Sequence, residues 1–380
     1  MSTPTSPSLV ARLLGVGAAA FLLTPVLSAQ QIRVGLCAAA GSATACQWSD
    51  VQTRLLATNQ FSAVDVINVA LATPTLAQLQ QYDALLCWTN TTPLDTNAWG
   101  DVLANYVDGG GGVVVAVFAN SSQTTNRNIG GRWQNGYLVV MDRSGSASGA
   151  NGTLGTVHVP GHPVMSGVAA FQGGSTGSRP FGTTLAPGAT LIAEWSDGKV
   201  LVAEGANPQR IDLGFYPPHS SCSGSGWTIG GDLLMTNALF SVAKGGAFAP
   251  FGTGCAGALG IPELSSGAVR PTPGASFSLQ IDKLPSGAAF IVLGFANDLW
   301  GPFTLPYDLG SVGMTGCDLL IAPAVTAAIA GSPSATLPLQ IPNDPGLIGG
   351  YVYAQGFVPD PSANSLGLSV SNGGRIRVGL

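Results

Sequence analysis

The stretch DTNAWGDVLANYVDGGGGVVVAVF, residues 95–118, decides the fold of this chain. Its first half carries apolar side chains with the period of one helical face. These side chains are Trp99, Val102, Leu103, Tyr106 and Val107. Glycines at 109–112 then end the helix, and the apolar run 113–118 shows no alternation, which is typical of a strand covered on both faces. A helix that leads directly into such a strand predicts a parallel sheet in an α/β layer fold.

The alternation of strands and helices extends in both directions from this stretch. We expect strands at 32–36, 64–69, 82–88, 189–194, 200–204 and 210–216, and helices near 50–56, 75–81 and 233–243. From residue 248 helical periodicity vanishes, and short β-rich runs recur between turns, which is typical of an antiparallel β-sandwich or jelly roll. The sequence therefore predicts an α/β domain at 30–246, followed by a β-sandwich domain at 247–380.

Residues 1–29 have the three parts of a cleavable secretory signal peptide. Arg12 gives a positively charged start, an apolar run at 13–23 follows, and Leu27-Ser28-Ala29 offers small residues to a peptidase. The apolar run is shorter than the roughly 20 residues of a membrane-spanning helix, and no later segment is long and apolar enough to span a bilayer. We expect a secreted, periplasmic or cell-surface protein without a membrane span after cleavage.

The composition excludes some classes of partner. Charged residues make up only 9% of the chain, the net charge is −5 and no basic patch occurs, so nucleic acid is not an expected partner. An apolar content of 46% indicates packed cores rather than disorder. No Cys or His spacing matches a zinc site, and we expect neither a metal nor a cofactor.

The even number of cysteines in an exported chain favours disulfides over free thiols. The six are Cys37, Cys46, Cys87, Cys222, Cys255 and Cys317. Many pairings are possible. Cys37 with Cys46 would close a short local loop, Cys255 with Cys317 would lie within the C-terminal part, and Cys87 would then pair with Cys222. Cys87 also ends a predicted strand, where a reactive thiolate could lie, but export favours a disulfide or a buried thiol.

Several local features occur together in one order along residues 31–246. They are Tyr82-Asp-Ala-Leu-Leu86, the helix-to-strand junction 103–115, His162-Pro-Val-Met-Ser-Gly-Val168, the strand 211–216 and the helix 232–242. In this order they resemble the glutamine-amidotransferase-like superfamily, in particular its ThuA-like (trehalose-utilisation) branch. The resemblance implies a flavodoxin-like parallel sheet of the class I glutamine-amidotransferase type.

The chain departs from that superfamily where catalysis occurs. Catalytic members carry a nucleophilic cysteine on a sharp turn after a central strand, and ThuA-like members often have a histidine at the end of that strand. Here the strand runs into Ala119-Asn120-Ser121-Ser122 without a cysteine, and Phe118 stands where the histidine is expected. Amidotransferase chemistry is therefore not supported.

The C-terminal part has its own resemblance. Phe251-Gly-Thr-Gly-Cys255 and Gly313-Met-Thr-Gly-Cys317, with the closing apolar strand, resemble a β-domain appended to many exported bacterial proteins. This resemblance implies no defined activity.

One candidate site combines amide, guanidinium and aromatic side chains that follow the strands or lie on the long loop after 113–118. Its residues are Trp88, Asn90, Asn120, Arg127, Arg132, Trp133 and Tyr216. Because the strand ends of an open α/β sheet converge on one crevice, these groups suit a sugar or another polar neutral ligand. The alternative is that Trp133 packs the loop and the asparagines close turns.

A second candidate site is catalytic. Ser121 could form a Ser-His-acid arrangement with one of the histidines and one acid. The candidates are His158, His162 and His219 with Asp95 or Glu194. The sequence around Ser121 lacks the Gly-x-Ser-x-Gly elbow that exposes such a serine, and polar loop residues are the alternative.

These observations favour a non-catalytic binding module over an enzyme, with a carbohydrate or a cell-envelope polymer as its ligand. A secreted hydrolase of unrecognised type is one alternative. A structural envelope or matrix protein is another, since the chain combines low charge, abundant glycine and an even number of cysteines.

Overall fold

A computed structural model describes residues 32–42 and 44–380. The predicted signal peptide at 1–29 lies outside the described residues. The first described part alternates strands with helices, and its elements are β1 (Ile32–Ala38), α1 (Cys46–Ala57), β2 (Phe61–Asn68), α2 (Leu76–Leu79), β3 (Ala84–Cys87), α3 (Thr96–Asp108) and β4 (Gly112–Ala116). Asp95 caps α3, because its side chain accepts hydrogen bonds from the backbone N–H groups of Asn97 and Ala98 at 2.9 Å.

A loop-rich segment follows β4 and leads to a last helix. Short 3-10 helices lie at Gln123–Thr125, Gly131–Gln134 and Pro163–Met165. The regular elements are β5 (Ser146–Ala147), β6 (Leu154–Val157), β7 (Gln172–Gly173), β8 (Arg179–Pro180), β9 (Thr190–Trp195), β10 (Val200–Glu204), β11 (Arg210–Leu213), β12 (Tyr216–His219), β13 (Gly226–Ile229) and α4 (Gly231–Val242).

The central sheet has eight strands in the order β2-β1-β3-β4-β11-β10-β9-β6. The first five are parallel and follow the 2-1-3-4-5 order of flavodoxin-like sheets. Each of the other three pairs antiparallel with the strand before it in this order, so the sheet is mixed and not purely parallel as predicted. The reason is local, because β9 and β10 are joined by a tight turn at 196–198, and a hairpin makes neighbouring strands antiparallel.

Helices cover both faces of the parallel strands. On β4, Val114 faces a core shared with α1 and α4, whereas Val113 and Val115 face a second core shared with α2 and α3. Every residue of this strand is buried. This two-sided burial explains why the apolar run at 113–118 shows no alternation.

The C-terminal part is built from antiparallel sheets. Its strands are β14 (Ala247–Phe251), β15 (Leu264–Ser266), β16 (Ser276–Ile281), β17 (Ala288–Gly294), β18 (Leu299–Trp300), β19 (Phe303–Thr304), β20 (Tyr307–Asp308), β21 (Asp318–Leu319), β22 (Val325–Ala330), β23 (Ala335–Gln340), β24 (Tyr351–Pro359) and β25 (Leu368–Arg377). A five-stranded sheet has the order β14-β25-β24-β17-β22, and a three-stranded sheet has the order β15-β16-β23. Phe277 and Leu279 of the smaller sheet share one apolar core with Ile291 and Ile376 of the larger sheet.

Two disulfides cross-link the chain, and one of them matches its prediction. Cys255 pairs with Cys317, as predicted. The other links Cys46 with Cys222, so the predicted pairs Cys37–Cys46 and Cys87–Cys222 are wrong. Cys37 and Cys87 are buried thiols on the sheet face that packs against α3, whereas Cys46 begins α1 on the opposite face. Sequence proximity therefore misleads here, because the sheet separates Cys37 from Cys46.

Two features bear on the compartment of the protein. The disulfides are compatible with an extracellular protein, since such bonds persist in oxidising surroundings. Within the described ranges, no helix combines the length and the apolar character that crossing a membrane requires.

Candidate functional site

The carboxyl ends of the parallel strands bring together five side chains, which we call the strand-end cluster. They are Trp48, Trp88, Phe118, Arg127 and Tyr216. Trp88 follows β3, Phe118 follows β4, and Tyr216 begins β12 shortly after β11. Ligands of open α/β sheets bind at this edge of the sheet. Three of the predicted ligand-binding residues, Trp88, Arg127 and Tyr216, therefore lie together.

Aromatic rings form the body of the strand-end cluster. The rings of Trp48 and Trp88 have centroids 5.5 Å apart, and those of Phe118 and Tyr216 are 5.6 Å apart. The guanidinium carbon of Arg127 lies 4.2 Å from the Phe118 ring centroid, which is within the range of a cation–π contact. All four rings are at least nine-tenths buried, whereas Arg127, which lies over the Phe118 ring, is half-buried.

Two polar groups of the strand-end cluster are buried and find no well-formed hydrogen bond among residues 32–42 and 44–380. They are the indole N–H of Trp88 and the hydroxyl of Tyr216, on side chains with no exposed surface. Burial raises the pKa of Tyr216, and the nearby Arg127 and Trp88 oppose that rise, so the hydroxyl is neutral at physiological pH. The Trp88 indole N–H lies close enough to the Tyr216 hydroxyl to lower its pKa, but the distance and angle between the two groups fall short of a well-formed hydrogen bond.

Arg127 is held over the cluster by neutral partners. Its carbonyl oxygen accepts a hydrogen bond of 2.6 Å from the Thr89 hydroxyl. Its guanidinium donates to the hydroxyl of Thr125 at 3.1 Å and to the carbonyl oxygen of Asn90 at 3.5 Å. Burial lowers the pKa of Arg127. No carboxylate of the described residues forms an ion pair with Arg127, so its side chain is held by weak contacts that a ligand can replace.

Trp133 and Arg132 do not join the strand-end cluster, contrary to the prediction. The 3-10 helix that carries them packs on α3, where Trp133 is buried and stacks on Tyr137 with ring centroids 5.5 Å apart. Arg132 donates hydrogen bonds to Asn105, Asp108 and the Tyr137 hydroxyl. The alternative reading, in which Trp133 packs the loop, is the one that the structure adopts.

The two predicted asparagines have structural contacts. The side-chain amide of Asn120 donates to the carbonyl oxygens of Val115 and Leu213, at 3.3 and 3.2 Å, and so joins the ends of β4 and β11. Asn90 is exposed, and its backbone N–H donates to the Ala39 carbonyl at 2.7 Å. Asn90 and Arg132 are the exposed members of the predicted set, and of these two Asn90 lies next to the strand-end cluster.

The predicted catalytic residues are not assembled. The hydroxyl of Ser121 is buried and has no hydrogen-bond partner. His158 lies 3.3 Å from Glu194, and the imidazole of His219 lies 2.8 Å from the hydroxyl of Ser221. Neither histidine contacts Ser121, so the described residues give this serine no general base.

The prediction missed Trp48 and the role of Phe118. Trp48 lies on the buried face of α1, with Val51 and Leu55. An apolar residue on a helical face indicates only that it packs in a core. The position of Trp48 beside Trp88 depends on how α1 packs on the sheet. The sequence contained no separate signal for that contact.

No group of three or more His, Cys, Asp or Glu side chains that could hold a metal ion occurs within residues 32–42 and 44–380. No protein-family model matches the chain, and no curated protein sequence is similar to it.

Among solved structures, the chain is similar to a protein described as ThuA-like from Bacteroides uniformis, with 15% identity over 57% of this chain and 94% of that one and a TM-score of 0.42. A second protein described as ThuA-like, from Parabacteroides merdae, is 14% identical over 55% of this chain and 88% of its own, with a TM-score of 0.38. A GMP synthase-like protein from Thermoplasma acidophilum is 11% identical over 55% of this chain and 92% of its own, with a TM-score of 0.36. At these identities and scores, no activity or ligand passes from those proteins to this chain.

Proposed function

We propose that the α/β part of the chain is a non-catalytic, exported binding module, and that it takes a neutral sugar or a sugar polymer of the cell envelope at the strand-end cluster. The observation that supports this most directly is the pair of buried donors, Trp88 N–H and Tyr216 O–H, that lack partners. Each such group costs about 1–3 kcal/mol while it stays unpaired. A sugar hydroxyl placed between them would accept a hydrogen bond from the Trp88 N–H. It would also form a hydrogen bond with the Tyr216 hydroxyl, as donor or as acceptor.

The other members of the strand-end cluster suit the same ligand. The rings of Phe118 and Trp48 offer apolar faces of the kind on which sugar rings pack, and Asn90 offers an exposed amide. Arg127 covers Phe118, so the ligand has to displace this guanidinium before it reaches the buried donors. Binding therefore includes a rearrangement of the loop that carries Arg127.

The family of the first part and the export of the chain belong to the same proposal. We infer that the first part is ThuA-like and that the signal at 1–29 exports the chain. The 2-1-3-4-5 order of the parallel strands and the two disulfides support these inferences. We also infer that the two larger C-terminal sheets form a β-sandwich, which their shared apolar core supports.

The experiment measures glycan binding and folding stability for two matched variants. Tyr216→Phe removes the buried hydroxyl, and Tyr137→Phe removes a hydroxyl that contacts Asp108 and Arg132 away from the cluster. We expect Tyr216→Phe to weaken glycan binding by about 1 kcal/mol, roughly five-fold, because one hydrogen bond is lost. The free protein should keep or gain stability in the same variant, because the hydroxyl has no partner to lose.

Equal glycan affinity in the Tyr216→Phe and Tyr137→Phe proteins would refute the assignment of the site. A clear loss of stability in free Tyr216→Phe would show that the hydroxyl has a partner and would remove the main support. Turnover of a substrate in a broad hydrolase screen would favour the hydrolase alternative. Retention in the cell envelope without glycan binding would favour a structural protein.

A further inference from the structure

A cavity lies away from the strand-end cluster, between α4 and the larger C-terminal sheet. Its volume is about 370 Å³. This size falls at the small end of ligand pockets, which span roughly 300–1,000 Å³, and suits a molecule of one ring. Five polar side chains line it together with apolar ones from both parts of the chain. The polar ones are Gln60, Ser166, Asn237, Asn297 and Arg375.

Arg375 is the single charged residue among the residues that line this cavity. It lies on β25 and is 3% exposed. One terminal nitrogen donates to the side-chain oxygen of Asn237 at 3.0 Å, and the other donates to that of Gln60 at 3.1 Å. The Nε–H of Arg375 is buried and has no partner.

Among the residues that the structure describes, no carboxylate forms an ion pair with Arg375. Asp298 acts electrostatically on Tyr353, but it forms no ion pair with Arg375 within the described part of the chain. Burial raises the pKa of Tyr353 to about 12, so this neighbour is neutral. The guanidinium carbon lies 4.3 Å from the Phe240 ring centroid, which offsets only part of the cost of burying a charge.

Arg377, two residues further on the same strand, is a useful contrast. Its guanidinium donates to the carbonyl oxygens of Ala243 and Gly245, just beyond the end of α4. The carboxyl end of a helix carries a partial negative charge, so Arg377 has an electrostatic partner within the fold. Arg377 also lines a cavity, and the described residues give its buried Nε–H no partner, so the two arginines differ in the acceptors of their terminal nitrogens: carbonyl oxygens next to α4 for Arg377 and neutral side-chain amides for Arg375.

We propose that this cavity binds a small hydroxylated carboxylate, such as a sugar acid, whose carboxylate pairs with Arg375. Asn297 donates to the Ser166 hydroxyl at 2.7 Å, and these two side chains offer hydrogen bonds to ligand hydroxyls. Phe251 and Leu320 provide an apolar wall for the carbon skeleton. This inference is independent of the strand-end cluster.

The test measures binding of D-glucuronate to the full chain by titration calorimetry, with D-glucose and sodium chloride as matched controls. We expect glucuronate to bind and the two controls not to bind. Arg375→Lys should weaken binding about ten-fold or more, because lysine keeps the charge but cannot present the planar fork of arginine to a carboxylate. Arg377→Lys should leave the affinity within about two-fold, because Arg377 pairs with the end of α4.

A second variant covers the case in which Arg375→Lys does not fold. Asn297→Ala removes a half-buried amide from the cavity wall, and we expect weaker glucuronate binding with an unchanged circular dichroism spectrum. Absence of glucuronate binding to the wild-type protein would overturn the proposal. Equal binding of glucose, or wild-type affinity in Asn297→Ala or in folded Arg375→Lys, would overturn it as well.

Discussion

Removal of the disulfide between Cys46 and Cys222 should cost more stability than any single contact on the surface of the α/β part. The bond joins residues 176 positions apart, whereas Cys255 and Cys317 are 62 positions apart. A cross-link stabilises mainly by restricting the unfolded chain, and the effect grows with the logarithm of the loop length. The two separations correspond to about 5 and about 4 kcal/mol at 25 °C.

The double variant Cys46→Ala/Cys222→Ala should therefore lose about 2–5 kcal/mol of unfolding free energy, since measured effects often fall below the entropic limit. Urea unfolding followed by tryptophan fluorescence measures this loss. Tryptophan emission reports mainly on the α/β part, because six of the seven tryptophans lie between residues 48 and 227. The slope of the transition should also rise, because the unfolded chain without the cross-link exposes more surface.

Cys255→Ala/Cys317→Ala is the matched control, because it also removes one disulfide but closes a shorter loop. The loss of unfolding free energy that tryptophan fluorescence reports should be smaller for this control than for the Cys46 variant. We expect this order whether the α/β part and the C-terminal part unfold together or separately. The reasoning fails if the Cys46 variant unfolds at the wild-type urea concentration. It also fails if the control loses more stability in this assay.

Two further predictions concern a carboxylate and a glycine. Hydrogen bonds from the backbone N–H of Ala258 and from a neighbouring serine lower the pKa of Asp360 below its usual 3.8. The ionised carboxylate therefore stabilises the folded protein above pH 3.8, and this stabilisation is lost as the pH falls through the folded pKa. Urea unfolding should show that Asp360→Asn is less stable than wild type at neutral pH, and the difference between the two midpoints should shrink in acid. A Cβ at Gly112 would lie 1.8 Å from the Val242 carbonyl oxygen, so Gly112→Ala should destabilise by about 1–3 kcal/mol or more. In Gly109→Ala the nearest atom is 3.5 Å away, and calorimetric unfolding should show a much smaller change.

The sequence predicted the elements of the first part better than their arrangement. The face of α3 that carries Trp99 and Leu103 is buried as its period indicates, and the run 113–118 contains a strand covered on both sides. These features depend on side chains close together in sequence. The order of the parallel strands was implied only by the family resemblance, and the antiparallel pairing of the other three strands was missed.

The candidate site was harder to predict because it depends on which distant segments meet. Trp88 and Tyr216 lie close together, as expected for residues that follow or begin strands at the same edge of the sheet, but both are fully buried and do not line an open crevice. Trp133 was wrongly assigned to the ligand site, because the composition of the loop that carries it suits a ligand-binding loop as well as a loop packed against α3. A Cβ at Gly100 would lie 1.9 Å from the Gly130 carbonyl oxygen, so this glycine lets the loop pack closely on α3. A glycine in the middle of a helix was the one local signal of that contact.

The choice between a binding site and a hydrolytic site depends on which hydrogen-bond partners the polar side chains have. A serine hydrolase needs its hydroxyl next to a base that a third group orients, and all of these groups must face a reachable substrate. Here Ser121 is buried without a base, while His158 and His219 contact other side chains. Two other buried groups, on Trp88 and Tyr216, remain unpaired at the edge of the sheet where ligands bind. Under the proposed function these two groups hold a ligand by hydrogen bonds, whereas the hydrolase alternative needs a base next to Ser121 that the described residues do not supply.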